Sequence, residues 1–239
     1  MTLDDILASL FLAGHDVAVA DGLIQGQGPL SGGGDIQVLG VADESPLGVD
    51  GALLLAGRVL DIVRAGGGTP ILVLIDSASQ RMSRRDELLG LSEYLAHLAK
   101  ALLFAEAQGH RTIGLLYGGS AAGAFIATAL ATGTLVALPG AHPAVMDLPS
   151  MARVTKLPID VLKAKAETTP VFAPGLENLA QTGAIHAVWD ADKPLADQLA
   201  AVLAVPAGGD VRGRLGAERG GRLKAAAIAE RVAALLSDG

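Results

Sequence analysis

The chain has no cysteine, and that absence removes disulfides, thiolate nucleophiles and thiolate–metal sites together. Aromatic residues are only 3% of its 239 residues, so Leu, Val, Ile and Ala must fill the core. Charged residues are also scarce, at 18% against 51% hydrophobic. A surface so short of charge exposes apolar area, the usual mark of a subunit interface. The net charge of −7 argues against nucleic acid as a partner. Five scattered histidines (His15, His97, His110, His142, His186) lack ligand spacing, so no metal is expected. The opening MTLDDILASLF has no basic n-region or cleavage pattern, which makes the cytoplasm the expected compartment. From Thr112 to Met146 there is no Asp, Glu, Lys or Arg, and Gly119 to Gly123 forms a GxxxG pattern. Gly118-Gly119-Ser120, Gly133 and Pro139-Gly140 divide this run, so it reads as buried strand–turn–helix–strand and no membrane span is expected.

What is present is a regular alternation. Leu3, Ile6, Leu7, Leu10 and Phe11 line one face of a short helix. Residues 21–34, with Gly26, Gly28 and Gly32-Gly33-Gly34, read as a connector. Ile36 to Val41 reads as a strand, followed by a helix from Gly48–Gly51 through Leu55, Val59, Ile62 and Val63, which Gly66-Gly67-Gly68 stops. Ile71 to Ile75 is a second buried strand. Ser83 with Asp86 three residues on resembles a capping box, and one long helix follows through Leu88, Leu91, Leu95, Leu98 and Leu102. Thr112 to Tyr117 and Thr134 to Leu138 are further strands. Runs this continuous indicate strands buried on both faces, hence α/β layers with a largely parallel sheet.

Beyond Pro143 the pattern is helical: a helix after Pro158 through Val161 and Leu162, another at Leu176 to Ala180, and a third at Leu195 to Leu203, with a brief strand at Ala187 to Trp189. Residues 207–239 hold six basic and four acidic residues, net +2, leaving −9 for residues 1–206. Two units are therefore expected: 1–206 as the main domain, and 207–239 as a Gly/Arg-rich linker with a terminal helix, Leu223 to Leu236.

The most informative stretch is Thr112 to Ala131, TIGLLYGGSAAGAFIATALA. A buried strand that breaks at paired glycines and turns into a helix leaves main-chain N–H groups open at the helix start. Such donors hold an anion, or an oxygen that becomes anionic during a reaction. The small residues Gly118, Gly119, Ser120, Ala121 and Ala122 let a substrate approach the backbone closely. Strand–Gly–helix junctions that merely pack a helix on a sheet are common, so the motif alone does not settle a function.

The order of signals from residue 38 to 190 resembles the crotonase-like superfamily, and within it the carboxyltransferase branch. A GGSGGA-type turn there matches Gly118 to Gly123, and an ID-T-PGAY-type loop stands where this chain has Ile75 to Gln80. DSASQRMSRRDELLGLSEYLAHLAK, Asp76 to Lys100, joined to YGGSAAGAF, is closer still to the γ-subunit family of biotin-independent malonate decarboxylase. Two departures from the biotin-dependent relatives fit a site without carboxybiotin: Ala121-Ala122 replaces glycines, and Ser77-Ala78-Ser79-Gln80 replaces the PGAY-like element.

The resemblance implies a crotonase/ClpP-like spiral of ββα units with C-terminal helices. It also implies a β-type partner subunit in a heterodimer, an acyl carrier protein with a CoA-derived prosthetic arm, an acyl-carrier transferase subunit, and no biotin. The reaction implied is decarboxylation of a malonyl thioester to the acetyl thioester. Backbone amides at Gly118, Gly119 and Ser120 would meet the enolate, with Ala121, Ala122, Ser77, Gln80 and Arg81 contacting substrate. Two other classes stay open. One is a serine hydrolase with Ser120 as nucleophile and His142 as the nearest candidate base, although Ala122 breaks the G-x-S-x-G elbow. The other is a non-catalytic scaffold subunit.

Overall fold

The computed structural model describes residues 1–169, 173–206 and 208–237. Its centre is a sheet whose inner strands, β4 (Ile71–Ile75) and β5 (Thr112–Leu116), are buried at every position. Such runs need cover on both faces, and helices supply it. β3 (Asp35–Val41) and β7 (Thr134–Ala137) flank this pair in parallel, and β9 (Ala187–Val188) extends the sheet beyond β7.

On one face lie α2 (Val49–Ala65), α4 (Leu91–Ala107) and α5 (Ala122–Thr128), whose Leu55, Val59, Leu98, Leu102 and Phe125 form one core with Val73 and Leu116. On the other, α1 (Leu3–Leu10) and α9 (Leu195–Ala204) bring Ile6, Leu10, Leu195 and Leu199 against Leu72, Leu74 and Val136. Strand residues alternate between the two cores, as a two-residue side-chain period requires.

Most expected elements are found, and the exceptions have physical reasons. Residues 21–34 are not a connector: β2 (Leu23–Pro29) pairs antiparallel with β3, and β1 (Ala18–Ala20) pairs with β2. Pairing with β3 selects this hairpin; Ile24 and Gly28 are the buried residues of β2, and one buried apolar side chain is too little for an apolar pattern. The long helix after Ser83 is two, α3 (Arg84–Leu89) and α4, because Gly90 takes a left-handed conformation (φ 83°) that ends one and starts the other. Ser83 does cap α3, its hydroxyl accepting the Asp86 N–H at 3.1 Å.

The C-terminal third holds α6 (Leu148–Thr155), α7 (Ile159–Thr168) and α8 (Leu176–Gln181). Within the stretch read as a linker a helix of its own, α10 (Arg212–Glu218), docks on the body before α11 (Ala225–Ser237). Arg212 donates to the Leu130 carbonyl at 2.9 Å, and Arg219 donates to Ala180, Ile185 and His186 carbonyls at 2.7 Å each. Among the described residues no helix is long and apolar enough to cross a membrane.

Candidate functional site

β3, β4 and β5 run parallel and end together, with Val41 beside Ile75 and Ile75 beside Leu116. The crevice beyond the carboxyl ends of such strands is where open α/β sheets place ligands. Three segments meet there: the turn after β3, the 76–83 loop after β4, and the double-glycine turn after β5.

The loop lies along the turn in a fixed register. Asp76 Oδ1 accepts the Gly119 N–H at 2.9 Å, the Ser77 and Ser120 hydroxyls are 3.0 Å apart, and Gln80 Oε1 accepts the Gly123 N–H at 2.9 Å. Each pair is separated by 43 residues. The Ser77 N–H adds a bond of 2.7 Å to the Gly119 carbonyl. On its other side the loop is tied to the turn after β3: Leu47 N–H donates to Ser79 O at 2.9 Å, Arg81 N–H to Leu47 O at 2.8 Å, and Glu44 N–H to Asp76 Oδ2 at 3.4 Å.

The turn itself differs from a strand running straight into a helix. Gly119–Ala121 forms a short strand, β6, parallel to β8 (His142–Ala144), and α5 begins only at Ala122. Ala122 has φ +48°, a left-handed backbone that costs an alanine roughly 1–2 kcal/mol. A side chain is excluded at Gly118 and tightly opposed at Gly119. A Cβ on Gly118 would overlap the Asp76 carboxylate, and one on Gly119 would stand 3.0 Å from His142 Nε2 and 3.1 Å from the Ser77 carbonyl.

These contacts divide the amides expected to be open. The Gly119 N–H is taken by Asp76, and Ser120 lies in the β6–β8 ladder opposite Pro143. The Gly118 N–H meets no acceptor among the described residues. Ala121, Ala122 and Gln80 are half-buried beside it in sequence and space, whereas the Arg81 side chain is exposed. Ser77 is fully buried, with its hydroxyl on Ser120 instead of on an open surface.

The serine-hydrolase reading is corrected by the same geometry. Ser120 is 1% exposed and spends its hydroxyl on Ser77. His142 is exposed, with Nδ1 3.3 Å from the Gly140 carbonyl and Nε2 3.8 Å from Glu44, so no bond joins it to Ser120. A nucleophile needs its base within hydrogen-bond reach.

Sequence reasoning missed Asp76, Tyr117 and the turn at Asp43 and Glu44. Tyr117 precedes the glycines, and its hydroxyl is buried with no hydrogen-bond partner among the described residues. Burial, then the charges of Asp76 and Asp43, push its pKa well above the phenol range, so it stays protonated. Arg85, in the first turn of α3, grips Asp50 with both terminal nitrogens at 2.7 and 3.0 Å. Among the described residues no three His, Asp or Glu side chains converge as metal ligands.

The sheet and the helices on its two faces form an α/β fold related to that of malonate decarboxylase and transcarboxylase structures. The chain superposes on transcarboxylase 12S, solved with methylmalonyl-coenzyme A, with a TM-score of 0.68 over 87% of this chain and 44% of that one, at 17% identity. Residues 42–236 match the malonate decarboxylase gamma subunit family (MdcE), and the chain belongs to that family. A crystal structure of a Pseudomonas malonate decarboxylase hetero-tetramer in complex with coenzyme A has a subunit 26% identical to it, with a TM-score of 0.76 over 98% of this chain and 97% of that one. The malonyl-S-ACP:biotin-protein carboxyltransferase MADD of Malonomonas rubra is 28% identical over 168 residues, 64% of this chain. The match spans 58% of that relative's length.

Proposed function

We propose that this chain is the γ subunit of a malonate decarboxylase complex and shares one active site with a β-type subunit. The observation that carries this reading is the family match across residues 42–236. The substrate is a malonyl thioester on an acyl carrier protein with a CoA-derived arm, loaded by an acyl-carrier transferase subunit. The hetero-tetrameric, coenzyme A-bound Pseudomonas relative supports the assembly and the arm. In the reaction the bond between the carboxylate and the α-carbon breaks and CO2 leaves. The electron pair passes into the thioester enolate, and a proton from solvent completes the acetyl group. No metal, biotin or side-chain nucleophile is required.

This chain's contribution is the double-glycine turn. Its Gly118 N–H points at the developing enolate oxygen, Gly119 and Ser120 hold the turn's shape, and Ala121 and Ala122 form the near wall. Gln80 frames the helix start, Arg81 lies at the rim toward the carrier, and Ser77 supports from beneath. A preorganised donor of this kind typically contributes roughly 10²–10³ in rate. The transcarboxylase likeness supports reading the succession of strands and helices as a crotonase-type spiral. Residues 207–239 are an appended arm, and the enzyme is cytoplasmic.

The MADD relative favours a second reading, transfer of the carboxyl group to biotin. Both reactions pass through the same enolate and differ in what receives the carboxyl carbon. The methyl groups of Ala121 and Ala122 narrow the approach that carboxybiotin would need, which favours release as CO2. Co-expression with a β-type subunit tests the assignment: the purified complex should release CO2 from malonyl-CoA without biotin, and this chain alone should not. Full activity from the isolated chain, or dependence on biotin, would reject it.

A further inference from the structure

The main-chain turn assigned to catalysis is held by the side chain of Asp76, which stands outside the expected site residues. Asp76 leaves the end of β4 and bonds to both neighbouring turns, Oδ1 to the Gly119 N–H at 2.9 Å and Oδ2 to the Glu44 N–H at 3.4 Å. Gly118 has no side chain, and the carboxylate lies in the space that a Cβ there would fill. The peptide between Gly118 and Gly119 is consequently pinned at both ends: its N–H by Asp76, and its carbonyl by the His142 N–H at 3.1 Å. The peptide between Leu116 and Tyr117 is also anchored, because the Tyr117 N–H donates to the Ile75 carbonyl at 3.1 Å. Between these two anchors lies the Gly118 N–H, which meets no acceptor among the described residues.

Two consecutive glycines would otherwise rotate freely, since neither has a Cβ to restrict φ and ψ. A donor is worth most to a transition state when its direction is set beforehand. We infer that Asp76 is a positioning residue: by taking the Gly119 N–H it fixes the plane of the double-glycine turn and leaves the Gly118 N–H aimed into the crevice. This rests on the malonyl-thioester reading above. The opposite role for the same contact is a carboxylate that blocks the Gly119 amide and must move aside for substrate. The two roles predict opposite signs when the carboxylate is removed.

The test uses the complex with the β-type subunit, malonyl-CoA as probe, and ¹⁵N-glycine labelling to follow the Gly119 amide. Asp76→Ala should lower kcat about 10²–10³-fold, leave KM within about threefold, and move the Gly119 amide proton upfield as it loses a charged acceptor. Asp76→Asn keeps an oxygen acceptor, so it should restore kcat to within about tenfold of wild type. An Asp76→Ala complex with unchanged or raised kcat overturns the inference, as does a Gly119 resonance that does not move. Should Asp76→Ala fail to assemble, Asp76→Asn decides: a hundredfold loss with the Gly119 resonance in place would overturn positioning. A wild-type complex that releases no CO2 from malonyl-CoA overturns the functional reading instead, and the Gly119 resonance still reports whether Asp76 holds the turn.

Discussion

The loop over the double-glycine turn and the helices near the C-terminus meet water in opposite ways. Around residues 76–80 and 118–123 polar groups are turned inward and bonded to one another across 43 residues. In α6 and α11 the reverse holds. α6 buries no residue, and every α11 position from 226 to 236 is exposed, including Ile228 (59%), Val232 (51%) and Leu235 (68%). By contrast α2 packs Val49, Ala52, Leu55, Ala56, Val59 and Ile62 into the core. A short helix in water is marginal without tertiary packing, so the two regions contribute unequally to stability. The densely hydrogen-bonded part of this molecule frames the site, and exposed apolar side chains collect on α11.

That contrast can be broken by substitution. Leu98 is fully buried in α4 on the clamp side of the sheet, and Leu98→Ala should cost about 2–5 kcal/mol in denaturant unfolding of the isolated chain. The double change Ile228→Ser and Leu235→Ser in α11 should stay within about 1 kcal/mol, two surface increments. Equal losses from the two would mean that α11 is packed after all. A smaller effect sharpens the division between backbone and side chain inside the clamp. Ser120→Ala removes the hydroxyl pair with Ser77 and leaves the main chain in place, so kcat of the complex should fall no more than about tenfold. A loss of several orders of magnitude would return Ser120 to the nucleophile role.

The smallest expected effect concerns the junction with the tail. His186 Nδ1 accepts the Leu135 N–H at 3.0 Å, so the ring is held neutral there. Burial lowers its pKa on balance, with the charges of Arg212 and Arg219 acting the same way and that of Asp210 opposing them. A lowered native pKa means the unfolded chain binds the proton more readily, so this contribution is present above the ordinary imidazole value and lost as pH falls below it. Melting temperatures between pH 7.5 and 5.5 should therefore decline, and His186→Asn, which keeps an acceptor for Leu135, should flatten that slope. An unchanged slope would show that the decline comes from other groups.

How much of this was readable beforehand follows from what each element depends on. β4 and β5 announced themselves because ILVLI and TIGLL are apolar at nearly every position, as double-sided burial demands. α2 and α9 showed their spacing for the same reason. Three-residue strands such as β1, β6 and β8 left no trace, since a segment that short is defined by its neighbour and not by its own residues. Within the site, the small residues of the turn marked it as a place for close approach. The state of its amides was hidden, because Asp76 and Gly119 are distant in sequence and an aspartate after a strand has many ordinary uses. Gly90 was visible as a glycine inside a helical pattern and was read through, although it ends one helix and opens the next.

The constant offset between loop and turn has an evolutionary corollary. Residues 76–80 and 119–123 behave as two edges of a zip fastener, with the α3–α4 excursion as the slack between them. Lengthening or trimming that slack leaves the teeth engaged, whereas one residue gained or lost within either edge throws the pairs beyond it out of register. Relatives should accordingly differ in length between Arg81 and Thr112 more readily than within 76–80 or 119–123.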